Sequence, residues 1–397
     1  MTTMHSVVPG ATKLPVRLLA SFWDSWRAGA KGWSDYWSSA MRRGATPFDL
    51  WLEGLKWLEV SQRRDQPQWA TENRIVFETP VARLRDFSLP DGKDPGDLVP
   101  TLLLPPQAGH DSCIVDFSPD QSQLRAVREG GLTSVFSMDW IGATAATKDA
   151  GIDDYLEALE RAVDHLGGKV NLVGDCQGGW LAVIYAAMYP EQINTLTIAG
   201  APIDYHLGEP LIHDWMKVMP EDFYAKAVKL GDGVLRGEFM LAGFRMMKPD
   251  GEIDRQLQLL ANITDDAHVR RYRQFETWFQ HTQDVPGAFY LWIVEHLFRN
   301  NELIRGELEI RGRRLDLRDI TCPLFLLAGK EDHITPPSQV FALADYAGTP
   351  ADQVVRRTTT GGHLGLFMGR EALVEYWPPI IDEVRKLSAA PAVRTAG

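Results

Sequence analysis

Three short stretches carry the residue types of nucleophilic acyl chemistry. Residues 170–180 read Val-Asn-Leu-Val-Gly-Asp-Cys-Gln-Gly-Gly-Trp: an apolar strand, a tight turn with one reactive side chain at its tip, then the start of a helix. Gly174 and Gly178, two positions either side of Cys176, let the backbone bend sharply and keep neighbouring side chains clear of the sulfur. The helix from about Gly178 to Met188 aims amide N–H groups and a positive dipole end at that sulfur, which favours thiolate and a developing oxyanion. Far downstream, a buried strand, Pro323 to Gly329, ends in Lys330-Glu331-Asp332-His333, and a second loop reads Thr360-Gly361-Gly362-His363. In this arrangement His363 takes the thiol proton, Asp332 fixes the imidazole tautomer, and Cys176 carries the acyl group. Glu331 is an alternative acid, and His333, adjoining Asp332, is read as structural. The oxyanion donors are the N–H of Gln177 and one from the loop after Phe117; Pro119 has none, leaving Ser118 or Asp120. Asp175 is awkward, because a carboxylate beside the nucleophile opposes thiolate, so its side chain is expected to turn away. A thiolate exchanges readily with thioesters, which suits an acyl-CoA donor better than amide cleavage.

The elements that must position these loops alternate between strand and helix. Strands are expected at 75–79, 82–89, 100–104, 134–138, 170–174, 195–200, 323–329 and 353–358, with an apolar run at 113–117. Helices are expected at 124–129, 153–166 and 370–386. This pattern indicates a mostly parallel sheet covered on both faces, with the reactive loops at the carboxyl edge. Nucleophile, acid, histidine is the chain order of α/β-hydrolases, and that is the expected fold, with a helical cap inserted before the last catalytic strands. The expected division is a Trp-rich helical region (1–73), the first part of the core (74–203), the cap (204–319) and the second part of the core (320–397). The cap is rich in aromatics (Trp215, Phe223, Trp278, Phe289, Trp292), as a lid that excludes water would be. Residues 1–15 and 388–397 are expected to be loosely ordered.

The chain has 397 residues and a net charge of −12, which gives no electrostatic support to nucleic-acid binding. Cys113, Cys176 and Cys322 are too few for a disulfide framework and fit a reducing compartment. No metal-type cluster of Cys and His is seen, and neither a signal peptide nor a transmembrane segment, so a cytoplasmic location is expected. In the N-terminal region Trp26, Ala30, Trp33, Trp37 and Met41 recur at helical spacing, and Phe48 to Val60 forms a second helical stretch. That apolar stripe either packs on its own domain or docks on an apolar body or partner helix.

With these residues in view, the chain from about Arg74 to Leu387 resembles the polyhydroxyalkanoate synthase family and its relatives, the intracellular polyhydroxyalkanoate depolymerases. Gly174-Asp175-Cys176-Gln177-Gly178-Gly179 looks like the synthase Gly-x-Cys-x-Gly-Gly box. Glu331-Asp332-His333-Ile334 with Pro336-Pro337, and Gly362-His363-Leu364-Gly365, match the acid and histidine motifs. Asn301-Glu302-Leu303, Arg314-Leu315-Asp316-Leu317, Ile320-Thr321-Cys322-Pro323 and Met138-Asp139-Trp140 are similar to further family segments. Gly243-Phe244 through Pro249 to Ala267-His268-Val269 looks like the depolymerases, so hydrolysis stays open beside transfer. The resemblance implies polymerisation of 3-hydroxyacyl-CoA through cysteine thioesters with release of CoA. It also implies a homodimer, a second synthase subunit and a polymer granule surface as partners. No metal or bound cofactor is implied; CoA enters as part of the substrate. A third reading is a granule-surface binding protein.

Overall fold

The computed structural model describes residues 13–63, 65–88, 98–208, 219–247 and 249–389. Most of the termini expected to be loose, the turn that follows Ser88, Trp215 and Lys248 lie outside these residues. The chain divides into two compact units, Met1–Pro67 with Glu238–Thr282, and Gln68–Gly237 with Gln283–Gly397.

The first unit is helical. Helix α1 (Lys13–Arg42) is followed by α2 (Pro47–Gln62), which opens on a capping box between Thr46 and Asp49 with Pro47 in its first turn. Packing in this unit uses the small-residue sector of α1: a Cβ on Gly32 would lie 2.4 Å from Leu257 Cβ, so only glycine admits that approach. Tyr36 and Ala40 continue the buried sector. From α2, Val60 joins Leu259, Ile263, Val269 and Tyr272 in a core against which Trp57 packs. Arg43 pairs with the buried Glu53 at 2.6 Å, and Arg255 with the buried Glu276 at 2.6 Å. The tryptophan stripe points the other way. Trp23, Trp26, Trp33 and Trp37 are 47–62% exposed, with Phe22, Met41, Phe48, Trp51, Leu52, Leu55 and Leu58 also open. These helices thus do pack within their own unit, but not with their apolar stripes.

The second unit is built on an eight-stranded sheet: β1 (Arg74–Glu78), β2 (Ala82–Asp86), β3 (Thr101–Leu104), β4 (Val135–Trp140), β5 (Val170–Asp175), β6 (Ile193–Ala199), β7 (Leu324–Gly329) and β8 (Val354–Thr359). Their spatial order is β1-β2-β4-β3-β5-β6-β7-β8. β2 runs antiparallel to both β1 and β4, and the other neighbouring pairs are parallel. All six residues of β5 and of β7 are buried, as strands covered on both faces require. Helices α3 (Gln123–Glu129), α4 (Ile152–His165) and α5 (Gln177–Met188) follow β3, β4 and β5 along the chain. This is an α/β-hydrolase fold. Where the helical insertion between β6 and β7 belongs to this unit, it packs on α5. Phe289 and Trp292 lie with ring centroids 6.1 Å from Trp180, and Phe289 lies 4.1 Å from Tyr155 on α4.

One local expectation is corrected and one refined. The apolar run at 113–117 is not a strand of the main sheet. Ser112–Val115 forms a 3-10 turn capped by Asp111, whose side chain accepts from the Cys113 N–H at 2.9 Å, and Asp116–Ser118 pairs only with Gln121–Ser122. The C-terminal helix runs on from residue 370 as expected, but carries a π-type turn (Ala372–Tyr376) before its α-helical part Trp377–Ser388, where Pro378 and Pro379 have no N–H groups to bond back into the preceding turn.

Candidate active site

Cys176 sits between β5 and α5 with φ 50° and ψ −117°, a left-handed conformation that a β-carbon makes costly. The turn is held from both sides: the Cys176 N–H donates to Ala199 O at 2.9 Å, and Gly179 N–H donates to Cys176 O at 2.9 Å. The flanking glycines are there for close approach. A Cβ on Gly178 would meet Leu104 O at 2.0 Å, and one on Gly174 would meet Gly179 Cα at 2.6 Å. Gln177 opens α5, so its N–H has no intrahelical partner.

The acid and histidine loops are tied to one another by backbone. Lys330 N–H donates to Thr359 O at 2.9 Å and Glu331 N–H to Gly361 O at 3.1 Å. The carboxylate that meets His363 is Asp332: Oδ2 accepts from Nδ1 at 2.7 Å, while Oδ1 accepts from the N–H groups of Ile334 at 2.9 Å and Thr335 at 2.8 Å. One oxygen therefore orients the imidazole and the other fixes the loop that carries the acid. Glu331 is exposed, and so is His333. His363 is buried, and Cys176 is near enough to act on it electrostatically. Burial alone would lower its pKa, but the charges of Asp332 and Cys176 outweigh it and hold the imidazole well above its ordinary value. Phe367 packs edge-on against the ring, 5.4 Å between centroids.

Of the second oxyanion candidates, Ser118 is buried at the end of its short strand, whereas the Asp120 side chain is exposed and lies 3.9 Å from Arg370. The other two thiols are poor nucleophiles. Burial pushes Cys113 far up and Cys322 to about 12, and all three cysteines are free. Asp139 of the Asp-Trp pair accepts from Arg85 at 2.7 Å, and Trp140 donates to Pro105 O at 2.9 Å, so that pair ties the sheet together. No group of acidic, Cys and His side chains among the described residues could hold a metal ion.

Two residues near Cys176 escaped the motif reading. Tyr205, shortly after β6, is buried with a hydroxyl that has no hydrogen-bond partner; burial and then the charge of Cys176 keep it protonated. Its backbone is pinned by Asn301, which accepts from its N–H at 3.1 Å, and by Gln339, which donates to its carbonyl at 3.1 Å. Gln123, the first residue of α3, donates through Nε2 to Asp175 Oδ1 at 3.2 Å. Asp175 does turn to Gln123. Both residues stand at the carboxyl edge of the sheet, and that placement was the available signal.

The likeness to polyhydroxyalkanoate synthases holds over most of the chain. It is 26% identical over 314 residues to a poly(3-hydroxyalkanoate) polymerase subunit PhaC of Allochromatium vinosum, covering 77% of this chain and 86% of that one. To the corresponding subunit of Haloferax mediterranei it is 27% identical over 277 residues, 68% of this chain but only 55% of the relative, so it spans about half of that protein's length. Among solved structures, the mouse alpha/beta hydrolase domain-containing protein 10 aligns at 15% identity with TM-score 0.46, over 79% of this chain and 98% of that one. A family model described as a protein of unknown function (DUF3141) matches residues 83–371, from β2 through the loops that carry Cys176, Asp332 and His363, and the chain belongs to that family.

Proposed function

We propose that the protein is an acyltransferase that polymerises 3-hydroxyacyl-CoA through thioesters on Cys176, with release of CoA. The observation that carries this reading is a cysteine on a strained turn, in electrostatic reach of a histidine that Asp332 holds at 2.7 Å, in a chain similar to named polymerases. In the first half-reaction the thiol proton passes to His363, sulfur attacks the thioester carbonyl, and the oxyanion is met by the Gln177 N–H and the Ser118 loop. CoA leaves as its sulfur takes the proton from His363. In the second, His363 takes the proton of a 3-hydroxyl group, which attacks the acyl–enzyme and lengthens the chain by one ester. Tyr205 lines this site as a protonated phenol able to donate to the acyl oxygen.

The discriminating experiment incubates the protein with 3-hydroxybutyryl-CoA and follows free CoA and chain-extended product. CoA release with polymer is the expected result. CoA release with only free hydroxyacid would make the enzyme a thioesterase, with water replacing the hydroxyl acceptor. No CoA release from folded protein would move the substrate to the polymer itself and the reaction to depolymerisation.

The open apolar stripes of α1 and α2 favour a second element of the reading, a polymer granule surface as partner. Eleven large apolar side chains on two helices are left open, a cluster of the kind that marks an interaction surface. The rim charges are mixed, Asp24 beside Arg27 and Lys31 beside Asp35, which suits a neutral polyester better than an anionic membrane. No helix of the described residues is long and apolar enough to cross a membrane. Replacing Trp26, Trp33 and Trp37 together by serine should weaken sedimentation with polyhydroxybutyrate granules by on the order of 10²-fold, as loss of aromatic anchors does. CoA release from soluble substrate should be unchanged. Equal binding by the triple variant would remove the granule assignment. A second copy of this chain or another synthase subunit on the same face would show as a change in oligomeric mass.

A further inference from the structure

The carboxyl group next to the nucleophile is short of one proton. Asp175 is the last residue of β5 and is fully buried, as is Gln123. Gln123 Nε2 donates to Asp175 Oδ1 at 3.2 Å, but Asp175 Oδ2 and Gln123 Oε1 are both buried without any hydrogen-bond partner. Two acceptors left over at one contact cannot be satisfied by flipping the amide, since a flip only exchanges which oxygens are orphaned. Four residues earlier on the same strand, Asn171 shows what a satisfied buried group looks like. Its Nδ2 donates to Val99 O at 2.9 Å and Ser388 Oγ at 2.8 Å, and its Oδ1 accepts from Asn194 at 2.8 Å and Thr195 at 3.0 Å. The neighbour of Asp175 across the sheet is Ala199, which offers no side-chain donor. The titratable groups facing Asp175 are His363, across the turn, and Cys176, its chain neighbour.

We infer that Asp175 is a neutral carboxylic acid that donates its Oδ2 proton to Gln123 Oε1, closing an acid–amide pair that positions the nucleophile turn without placing a second negative charge beside Cys176 and His363. Such a pair satisfies all four polar atoms with two antiparallel hydrogen bonds and no net charge. Burial raises the carboxyl to about 8, with Gln123 and His363 pulling the other way. Below that pH Asp175 adds no charge beside Cys176 and His363; above it, a new carboxylate opens beside the sulfur. This consequence rests on Cys176 being the nucleophile, whereas the pair itself does not.

The test compares wild type with Asp175→Asn, which keeps both hydrogen bonds, and Asp175→Leu, which keeps neither. Difference infrared spectra of wild type minus Asp175→Asn at pH 6 should contain the C=O stretch of a buried protonated carboxyl, lost as the pH is raised; a carboxylate pair of bands instead would overturn the proposal. Alkylation of Cys176 by iodoacetamide, read by peptide mass spectrometry against pH, needs no substrate. Wild type and Asp175→Asn should agree within about threefold up to neutral pH and diverge above it, as the charge near the sulfur changes. A constant offset at every pH means that Asp175 is already ionised. Asp175→Leu should lose alkylation that Asp175→Asn retains, and equal loss in both would reduce the residue to packing. If Cys176 were not the nucleophile, alkylation would be slow in all three proteins while the infrared band remained, so the two failures are distinguishable.

Discussion

Cys176→Ala should lower acyl transfer by at least about 10⁵-fold, and His363→Ala by a similar factor, with the double variant no worse than either single one. The reason is that the two act as one device. The imidazole is useful only while it can take the thiol proton, and the structure holds it by Asp332 on one side with Cys176 in electrostatic reach. Asp332→Asn should cost about 10⁴-fold, since an amide in that place can hold the wrong imidazole tautomer. The loss should not come from misfolding. Asp332 Oδ1 also accepts from Ile334 and Thr335, and asparagine keeps an oxygen for those bonds. The measurement is single-turnover CoA release, with circular dichroism confirming the fold of each variant. Retention of more than about a hundredth of wild-type turnover by Cys176→Ala would transfer the nucleophile's role to another group. Neither Cys113 nor Cys322 is a ready replacement, since burial holds both thiols protonated.

How far the sequence reaches is seen best by comparing neighbouring residues. The nucleophile turn is legible because its requirements are local. A β-carbon at Gly178 would strike Leu104 O, and no other residue type removes that contact, so the spacing of glycines around Cys176 marks the turn. Asp332 and His363 are legible for the same reason, as single loops ending single strands. The fate of Asp175 is not local. It depends on Gln123, 52 residues away along the chain, and the sequence says only that a carboxylate beside a thiolate is unfavourable. The N-terminal helices show the opposite limit. Periodicity locates the stripe of Trp26, Trp33 and Trp37 correctly, yet an apolar stripe normally faces a core, and here the glycine sector of α1 does so because Gly32 admits Leu257 closely. Which of two sectors is covered is a property of the partner surface, and periodicity cannot report it.

Asp175→Asn should stabilise the folded protein, by an amount that grows with pH. The carboxyl is raised from 3.8 to about 8 in the folded state, so between those values the folded protein holds a proton that the unfolded chain has lost. Stability therefore falls as pH rises through this window, and the full cost is reached above the folded value. At about 1.4 kcal/mol per unit, a shift of this size corresponds to roughly 6 kcal/mol, most of it the desolvation of the carboxylate, which His363 only partly offsets. Asparagine does not titrate, keeps the bond from Gln123, and supplies the N–H that Gln123 Oε1 lacks. The two proteins should thus be about equally stable near pH 4, and the variant should pull ahead steadily until about pH 8, where the gap stops widening. Urea unfolding at a series of pH values measures the difference directly, with unchanged m-values showing that the compactness of the two end states is the same. A gap that is constant across the range would mean that Asp175 titrates alike in both states, and that the cost at this turn is backbone strain at Cys176 alone. A gap that opens with pH would instead show stability surrendered at a residue whose neutral form the nucleophile requires, the kind of loss that a functional site tolerates and a core does not.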